Sequence, residues 1–138
     1  MQPTILIVED HAAVRASLAD WLRVSFPECR ILDVASAEEA LSVADAELLT
    51  VVIMDIRLPQ MDGLEATRQI KARQPRSRNV ILSLYDDLAQ RARATTVGAS
   101  AFISKQRMHA ELLPVMEALL PRRAKHASTC GAREAAGV

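Results

Sequence analysis

Thr50-Val-Val-Ile-Met54 is a short β-branched run, apolar from Val51 onward, and the next residue is the acid Asp55. A run that is apolar on both faces suits a strand buried between two layers, as in a parallel sheet. Four more runs share this character: Thr4-Ile-Leu-Ile-Val8, Arg30-Ile-Leu-Asp-Val34, Asn79-Val-Ile-Leu-Ser83 and Ala101-Phe-Ile103. Helical spacing fills the gaps. Val14, Leu18, Trp21 and Leu22 fall on one face, as do Leu112, Val115, Met116, Leu119 and Leu120. Ser36 with Glu39 forms a capping-box pattern for the second helix, Asp62-Gly63 precedes the third, and Pro27, Pro59 and Pro75 fall between elements. Five strands alternating with five helices predict an α/β fold, a doubly wound parallel sheet covered on both faces.

Composition agrees. Of 138 residues half are apolar, but 23 are alanine and only four are aromatic, which favours helices packed closely on a flat surface. The 17 basic and 17 acidic residues cancel, which argues against a dedicated nucleic-acid binder and against an acidic disordered segment. Cys29 and Cys130 lie far apart, pointing to a reduced, cytoplasmic setting. No apolar run is long enough to span a membrane, and the first strand begins too early to follow a signal peptide. Residues 1–120 read as one domain. Residues 121–138 open with Pro121, lack apolar periodicity and are net basic, and read as a disordered tail or the start of a linker. The helix predicted over 87–98 has only Leu88 and Val97 as large apolar anchors, with alanines supplying the rest of its buried face; on composition it reads as an ordinary alanine-rich helix under close packing, and the alternative is a weakly held element available for switching.

Open α/β sheets bind ligands beyond the carboxyl ends of their strands. Glu9-Asp10 follow the first strand, Asp55 the third, Ser83 ends the fourth, and Ser104-Lys105 follow the fifth. If the strand order is 2-1-3-4-5, all of these converge on one pocket, and the second strand, which ends in Ala35-Ser36, is the edge outside it. Clustered carboxylates repel unless compensated. A hard divalent cation, Mg²⁺ or Mn²⁺, is the natural compensation for oxygen ligands, and the lack of Cys or His at the strand ends argues against zinc. His11 reads as a surface or helix-start residue. Lys105 and the Ser83 hydroxyl add a place for phosphoryl oxygens. Asp55, alone at its strand end and central, is the candidate acceptor of a covalent phosphoryl group. Asp10, with Glu9, would hold the metal.

The acidic pair Glu9-Asp10, the phrase Asp55-Ile-Arg-Leu-Pro-Gln-Met-Asp-Gly63, Ser83 and Lys105 together resemble the receiver domain of bacterial two-component response regulators over residues 4–120. The resemblance implies a flavodoxin-like (βα)₅ fold with the 2-1-3-4-5 order. It implies that Asp55 takes a phosphoryl group from a sensor histidine kinase or phosphotransfer protein. It also implies that Asp10, Asp55 and the backbone carbonyl of Arg57 ligate Mg²⁺, with Glu9 acting through a water. Ser83 would swing toward the phosphoryl group, Lys105 would pair with it, and Phe102 would be the aromatic switch. Gln106 after Lys105, and Leu-Glu-Ala after Gly63, are similar to the NarL/FixJ type, whose members regulate transcription through a helix-turn-helix domain. The chain then reads as the input half of such a regulator or as a stand-alone receiver, with a phosphorylation-linked homodimer as a further expectation. Leu84 is bulkier than the family's usual residue there and would restrict access to the phosphate. Two other functions compete: a phosphohydrolase or phosphotransferase acting on small substrates, and a phosphate-independent interaction module. The first is weakened by Arg57, which stands where aspartate-nucleophile phosphatases carry a second acid. The intact Asp55, Ser83 and Lys105 argue against the second.

Overall fold

The computed structural model describes residues 2–121, so the expectation for the tail beyond Pro121, with Cys130, lies outside the described residues. Five parallel strands, β1 (Thr4–Val8), β2 (Arg30–Val34), β3 (Val51–Asp55), β4 (Arg78–Ser83) and β5 (Ala101–Ser104), form one sheet in the order β2-β1-β3-β4-β5. The helices between them are α1 (Ala12–Ser25), α2 (Ala37–Ala46), α3 (Gly63–Arg73), α4 (Leu88–Thr96) and α5 (Met108–Leu119). A single 3-10 turn, Lys105–Arg107, leads into α5.

Strand alternation sorts the core into two layers. Ile5, Ile7, Ile53, Val80, Leu82 and Ile103 face α1 and α5, where Leu18, Leu22, Leu112 and Met116 meet them. Leu6, Val8, Val52, Met54 and Ile81 face the other way, onto Ala40, Leu64, Ile70 and Ala94 of α2, α3 and α4. β1 and β3 are buried along their whole length. Their continuous apolar runs are therefore what a central strand between two helical layers requires.

Local details depart from the sequence reading at several points. The Ser36 side chain caps α2 by accepting from the Glu39 N–H at 3.1 Å, but the Glu39 carboxylate returns to the Ala35 N–H at 2.9 Å, one residue ahead of the usual capping box. In α4, Leu88 is 85 % exposed and anchors nothing. Ala94 is its one buried residue, with Val97 packing against the core from beyond its end. Gly98, at φ +94°, takes the left-handed turn that lets the chain re-enter β5. Pro114 sits inside α5 on its exposed face, where water can reach the carbonyl that the missing N–H leaves free.

Candidate phosphoacceptor site

The carboxyl ends of β1, β3, β4 and β5 meet at one end of the sheet. In-register pairing sets Asp55 of β3 beside Leu82 of β4, and Ser83 beside Ser104 of β5, so the residues following these strands surround one point. Lys105 reaches across it. Its Nζ donates to Glu9 Oε1 at 3.0 Å and lies 3.3 Å from Asp55 Oδ2. Glu9 and Asp55 are 1 % and 5 % exposed. Three of the predicted residues, from three strand ends, are therefore in direct contact.

Charge is distributed unequally over the two acids. For Glu9, burial pushes the pKa up, but the hydrogen bond and charge of Lys105 and two contacts from His11 outweigh it and hold the carboxyl below its ordinary range. For Asp55, burial and then the Glu9 charge dominate and push the carboxyl up to about 6, against the pull of Lys105 and the Arg57 N–H. Burial also works against the charge on Lys105, yet the hydrogen bond to Glu9 and the charges of both acids raise its pKa. One ammonium shared between two buried carboxylates satisfies Glu9 and leaves Asp55 short of positive charge.

The other predicted residues take defined places around this core. The Ser83 hydroxyl donates to the Tyr85 carbonyl at 2.8 Å and accepts from the Tyr85 N–H at 3.1 Å, so it is held by the β4–α4 loop rather than by Asp55. The Arg57 N–H donates to Asp55 Oδ1 at 3.4 Å, and the Arg57 guanidinium lies 4.6 Å from the Tyr85 ring centroid. Phe102 is partly buried, with the guanidinium of Arg91 stacked 4.7 Å from its ring centroid. Leu84, expected to limit access, is more than half exposed. Gly63 lies close against the Asp55–Ile56 backbone: its N–H donates to the Ile56 carbonyl at 2.8 Å, and a Cβ there would fall 2.0 Å from the Asp55 carbonyl oxygen. Glycine at this position thus follows from close approach and needs no unusual backbone angle.

Asp10 is the member with unmet demand. Its Oδ1 is shielded from solvent and has no hydrogen-bond partner. Glu9, Asp10 and His11 bring one ligand atom each to within 4.8 Å of one another. A carboxylate oxygen shielded from solvent and without a hydrogen bond fits a divalent cation, and the predominance of oxygen donors suits a hard ion. His11 lies exposed at the start of α1, as its place in the sequence implies. Its side chain does not cap α1 and instead turns back onto the two acids, with Nδ1 3.3 Å from Glu9 Oε2 and 3.4 Å from Asp10 Oδ1. The sequence reading missed Tyr85 and Arg91, whose partners are set by tertiary packing.

Comparison with known proteins identifies the family. The family described as response regulator receiver domain matches residues 5–117. The transcriptional activator protein ExaE of Pseudomonas putida is 35 % identical over 116 residues, covering 84 % of this chain and 54 % of that protein. The transcriptional regulatory protein PdtaR of Mycobacterium tuberculosis is 32 % identical over 120 residues, covering 86 % and 57 %. The chain thus spans little more than half the length of these curated relatives. Among solved structures, a LuxR-family two-component response regulator from Aurantimonas sp. SI85-9A1 superposes with a TM-score of 0.78 at 29 % identity, covering 86 % of this chain and 84 % of that one. The response regulator TrrA from Thermotoga maritima, in complex with Mg²⁺ and BeF, superposes at 0.76 with 25 % identity, covering 86 % and 100 %. With the predicted strand order and the LuxR-type likeness both found, the chain belongs to the response regulator receiver domain family.

Proposed function

We propose that the chain is a phosphorylation-dependent signalling switch whose acceptor is Asp55. The observation that carries this reading is Lys105 spanning Glu9 and Asp55 while the Ser83 hydroxyl is parked on the Tyr85 backbone. An Asp55 carboxylate oxygen attacks the phosphorus of a phosphohistidine, the P–N bond breaks, and the imidazole leaves with the electron pair and takes up a proton. The new acyl phosphate adds negative charge and acceptor oxygens beside Lys105, which can turn toward them from Glu9. Ser83 exchanges its bond to the Tyr85 carbonyl for a phosphoryl oxygen, which draws the β4–α4 loop with it.

Asp10, Asp55 and the Arg57 carbonyl would hold Mg²⁺ or Mn²⁺, with Glu9 acting through a water. Such a cation supplies charge neutralisation for the transferring phosphoryl group. Charge-assisted hydrogen bonds of about 1.5–3 kcal/mol each from Ser83 and Lys105 give roughly 3–6 kcal/mol. A two-state inversion from 1:99 to 99:1 needs about 5.5 kcal/mol. The two are comparable, so partial activity without phosphate and a population shift with it are expected.

The donor is a sensor histidine kinase or phosphotransfer protein, and the setting is cytoplasmic. Among the described residues no helix is long and apolar enough to cross a membrane. The output is transcriptional, through a DNA-binding partner domain, with phosphorylation-linked homodimerisation; the chain itself does not bind nucleic acid. Catalysis is confined to self-phosphorylation and autodephosphorylation. A stand-alone receiver acting through protein contacts or a phosphorelay is the second reading. Incubation with Mg²⁺ and a small phosphodonor tests the core of this. A mass gain of about 80 Da that Asp55→Asn abolishes is expected. Rapid donor turnover without an adduct would favour a phosphatase, and neither adduct nor turnover would favour an interaction module.

A further inference from the structure

We propose that Arg57 and Tyr85 form a clasp between the β3–α3 and β4–α4 loops, which holds the Ser83 hydroxyl in its resting place until a phosphoryl group on Asp55 draws it away. The inference rests on the reading of Asp55 as phosphoacceptor, and it makes Tyr85 a positioning residue that acts through Ser83.

Three observations carry it. First, four residues form a continuous chain of contacts from one loop to the other. The Arg57 N–H donates to Asp55 Oδ1 at 3.4 Å, and the Arg57 guanidinium lies 4.6 Å from the Tyr85 ring centroid. The Tyr85 N–H donates to Ser83 Oγ at 3.1 Å, and the Ser83 hydroxyl donates to the Tyr85 carbonyl at 2.8 Å. Second, the ring contact is not a by-product of an ion pair. Arg91 and Arg93 pair with Asp86 and Asp62, whereas among the described residues Arg57 has no carboxylate partner. Third, the only proton of the Ser83 hydroxyl is already committed. A serine hydroxyl has one hydrogen to donate, so the bond to the Tyr85 carbonyl must break before Ser83 can donate to a phosphoryl oxygen. Tyr85 carries both the carbonyl that holds that proton and the ring that Arg57 holds, so fixing the ring also restrains the carbonyl.

The consequence is a bias with a definite sign. A contact made in one state only shifts the equilibrium toward that state. An exposed cation–π contact changes such a population about two- to fivefold. The apparent affinity for a phosphoryl group falls with the fraction of molecules ready to receive it. Opening the clasp therefore strengthens binding of a phosphoryl analogue, the opposite of what damage to the site would do.

The test titrates the 138-residue chain with beryllofluoride, an analogue of the aspartyl phosphoryl group, in the presence of Mg²⁺. Tyr85→Leu and Arg57→Gln are each expected to bind it about two- to fivefold more tightly than the wild type. The double variant is expected to gain no more than either single one, because both remove the same contact. Tyr85→Phe keeps the ring and is expected to bind as the wild type does. In parallel, without Mg²⁺ or beryllofluoride, hydrogen exchange at the Tyr85 N–H is expected to be about two- to fivefold faster in Arg57→Gln, reporting release of Ser83 directly. Unchanged or weaker binding in either single variant, additive gains in the double variant, the same gain in Tyr85→Phe, or unaltered exchange at Tyr85 would each overturn the clasp and leave Asp55 as acceptor. A wild type that neither binds beryllofluoride nor gains phosphoryl mass from a small phosphodonor would overturn both.

Discussion

The guanidinium of Arg91, on α4, lies 4.7 Å from the centroid of the Phe102 ring, on β5, and its other partner is Asp86 of the β4–α4 loop at 2.5 Å. Arg91 therefore links the helix with the least buried apolar surface to the aromatic that the family reading assigns to switching. Ala94 is the only buried residue of α4, and polar contacts such as this one, and Arg93 to Asp62 at 3.2 Å, join the helix to its neighbours. Arg91→Ala is expected to loosen α4 and β5 while leaving the sheet intact. An exposed cation–π contact of about 0.5–1 kcal/mol corresponds to roughly two- to fivefold faster amide exchange. Exchange confined to residues 84–104 and unchanged in β1 and β3 is the expected pattern. Unaltered exchange across that segment would show that Arg91 does not hold it.

Gly63 and Asp55 are coupled through backbone. A methyl at Gly63 would meet the Asp55 carbonyl oxygen at 2.0 Å, with Asp55 C and Ile56 Cα at 2.9 Å. None of these atoms belongs to a flexible side chain, so the start of α3 must move away from β3. Overpacking of this kind costs about 1–3 kcal/mol. Gly63→Ala is expected to lower the urea midpoint accordingly and to slow adduct formation on Asp55. Gly98→Ala is a useful contrast, because it too is destabilising, through its positive φ, but lies far along the chain from the acceptor. Equal slowing of adduct formation in both variants would argue against a specific Gly63–Asp55 coupling.

The fold was largely legible because burial on two faces leaves a strong mark on short strands. Leu6 and Ile7 face opposite layers, yet both must be apolar, and that is visible without coordinates. The convergence of Glu9, Asp55, Ser83 and Lys105 was legible too, since each lies at or just after a strand end, although the strand order was carried over from the family. The α4 region was misread at Leu88. In an alanine-rich helix one leucine contributes most of the apparent apolar face, and nothing local tells whether that face meets the sheet. Arg57 over Tyr85 and Arg91 over Phe102 join residues on separate elements. Those pairings depend on how the loops close over the sheet, which no periodicity records. His11 sits where its spacing places it, at an exposed helix start, and only the folded ring orientation shows that it turns toward the acids.

Removing the ammonium of Lys105 should expose what it compensates. Glu9 is 1 % exposed, and among the described residues Lys105 is its only cationic partner apart from a contact with His11. Deleting one member of a buried pair costs about 3–5 kcal/mol. Lys105 is itself partly exposed, so about 2–3 kcal/mol is the expected loss for Lys105→Met in the absence of divalent cation. Adding Glu9→Gln to that variant should restore much of the stability, because the orphaned charge disappears with it. A double-mutant cycle read by urea denaturation measures the coupling. Additive losses would mean that the two residues do not share a charge balance.

Cys29 supplies a pH dependence distant from the acidic pocket. It follows α1, is buried in the layer shared with α5, and is raised to about 11 by burial, with a smaller push from the Glu28 charge. In the unfolded chain a thiol titrates near about 8.5. Above that pH the unfolded state loses the proton while the folded state still keeps it, so the unfolded state is favoured. The stabilising contribution is therefore complete below about pH 8.5 and declines as pH rises toward about 11. A gap of about two and a half units corresponds to an upper bound of about 3.4 kcal/mol, of which about 2.5 kcal/mol should be visible at pH 10.5. Lysines and tyrosine titrate in the same window, so the readout is a difference between proteins. The wild type should lose more stability between pH 8 and pH 10.5 than Cys29→Ala does, whatever the packing cost of the substitution itself at pH 8. Parallel pH profiles for the two proteins would show that the thiol is ionisable in the folded state at its ordinary pKa, and that burial near α5 does not protect it.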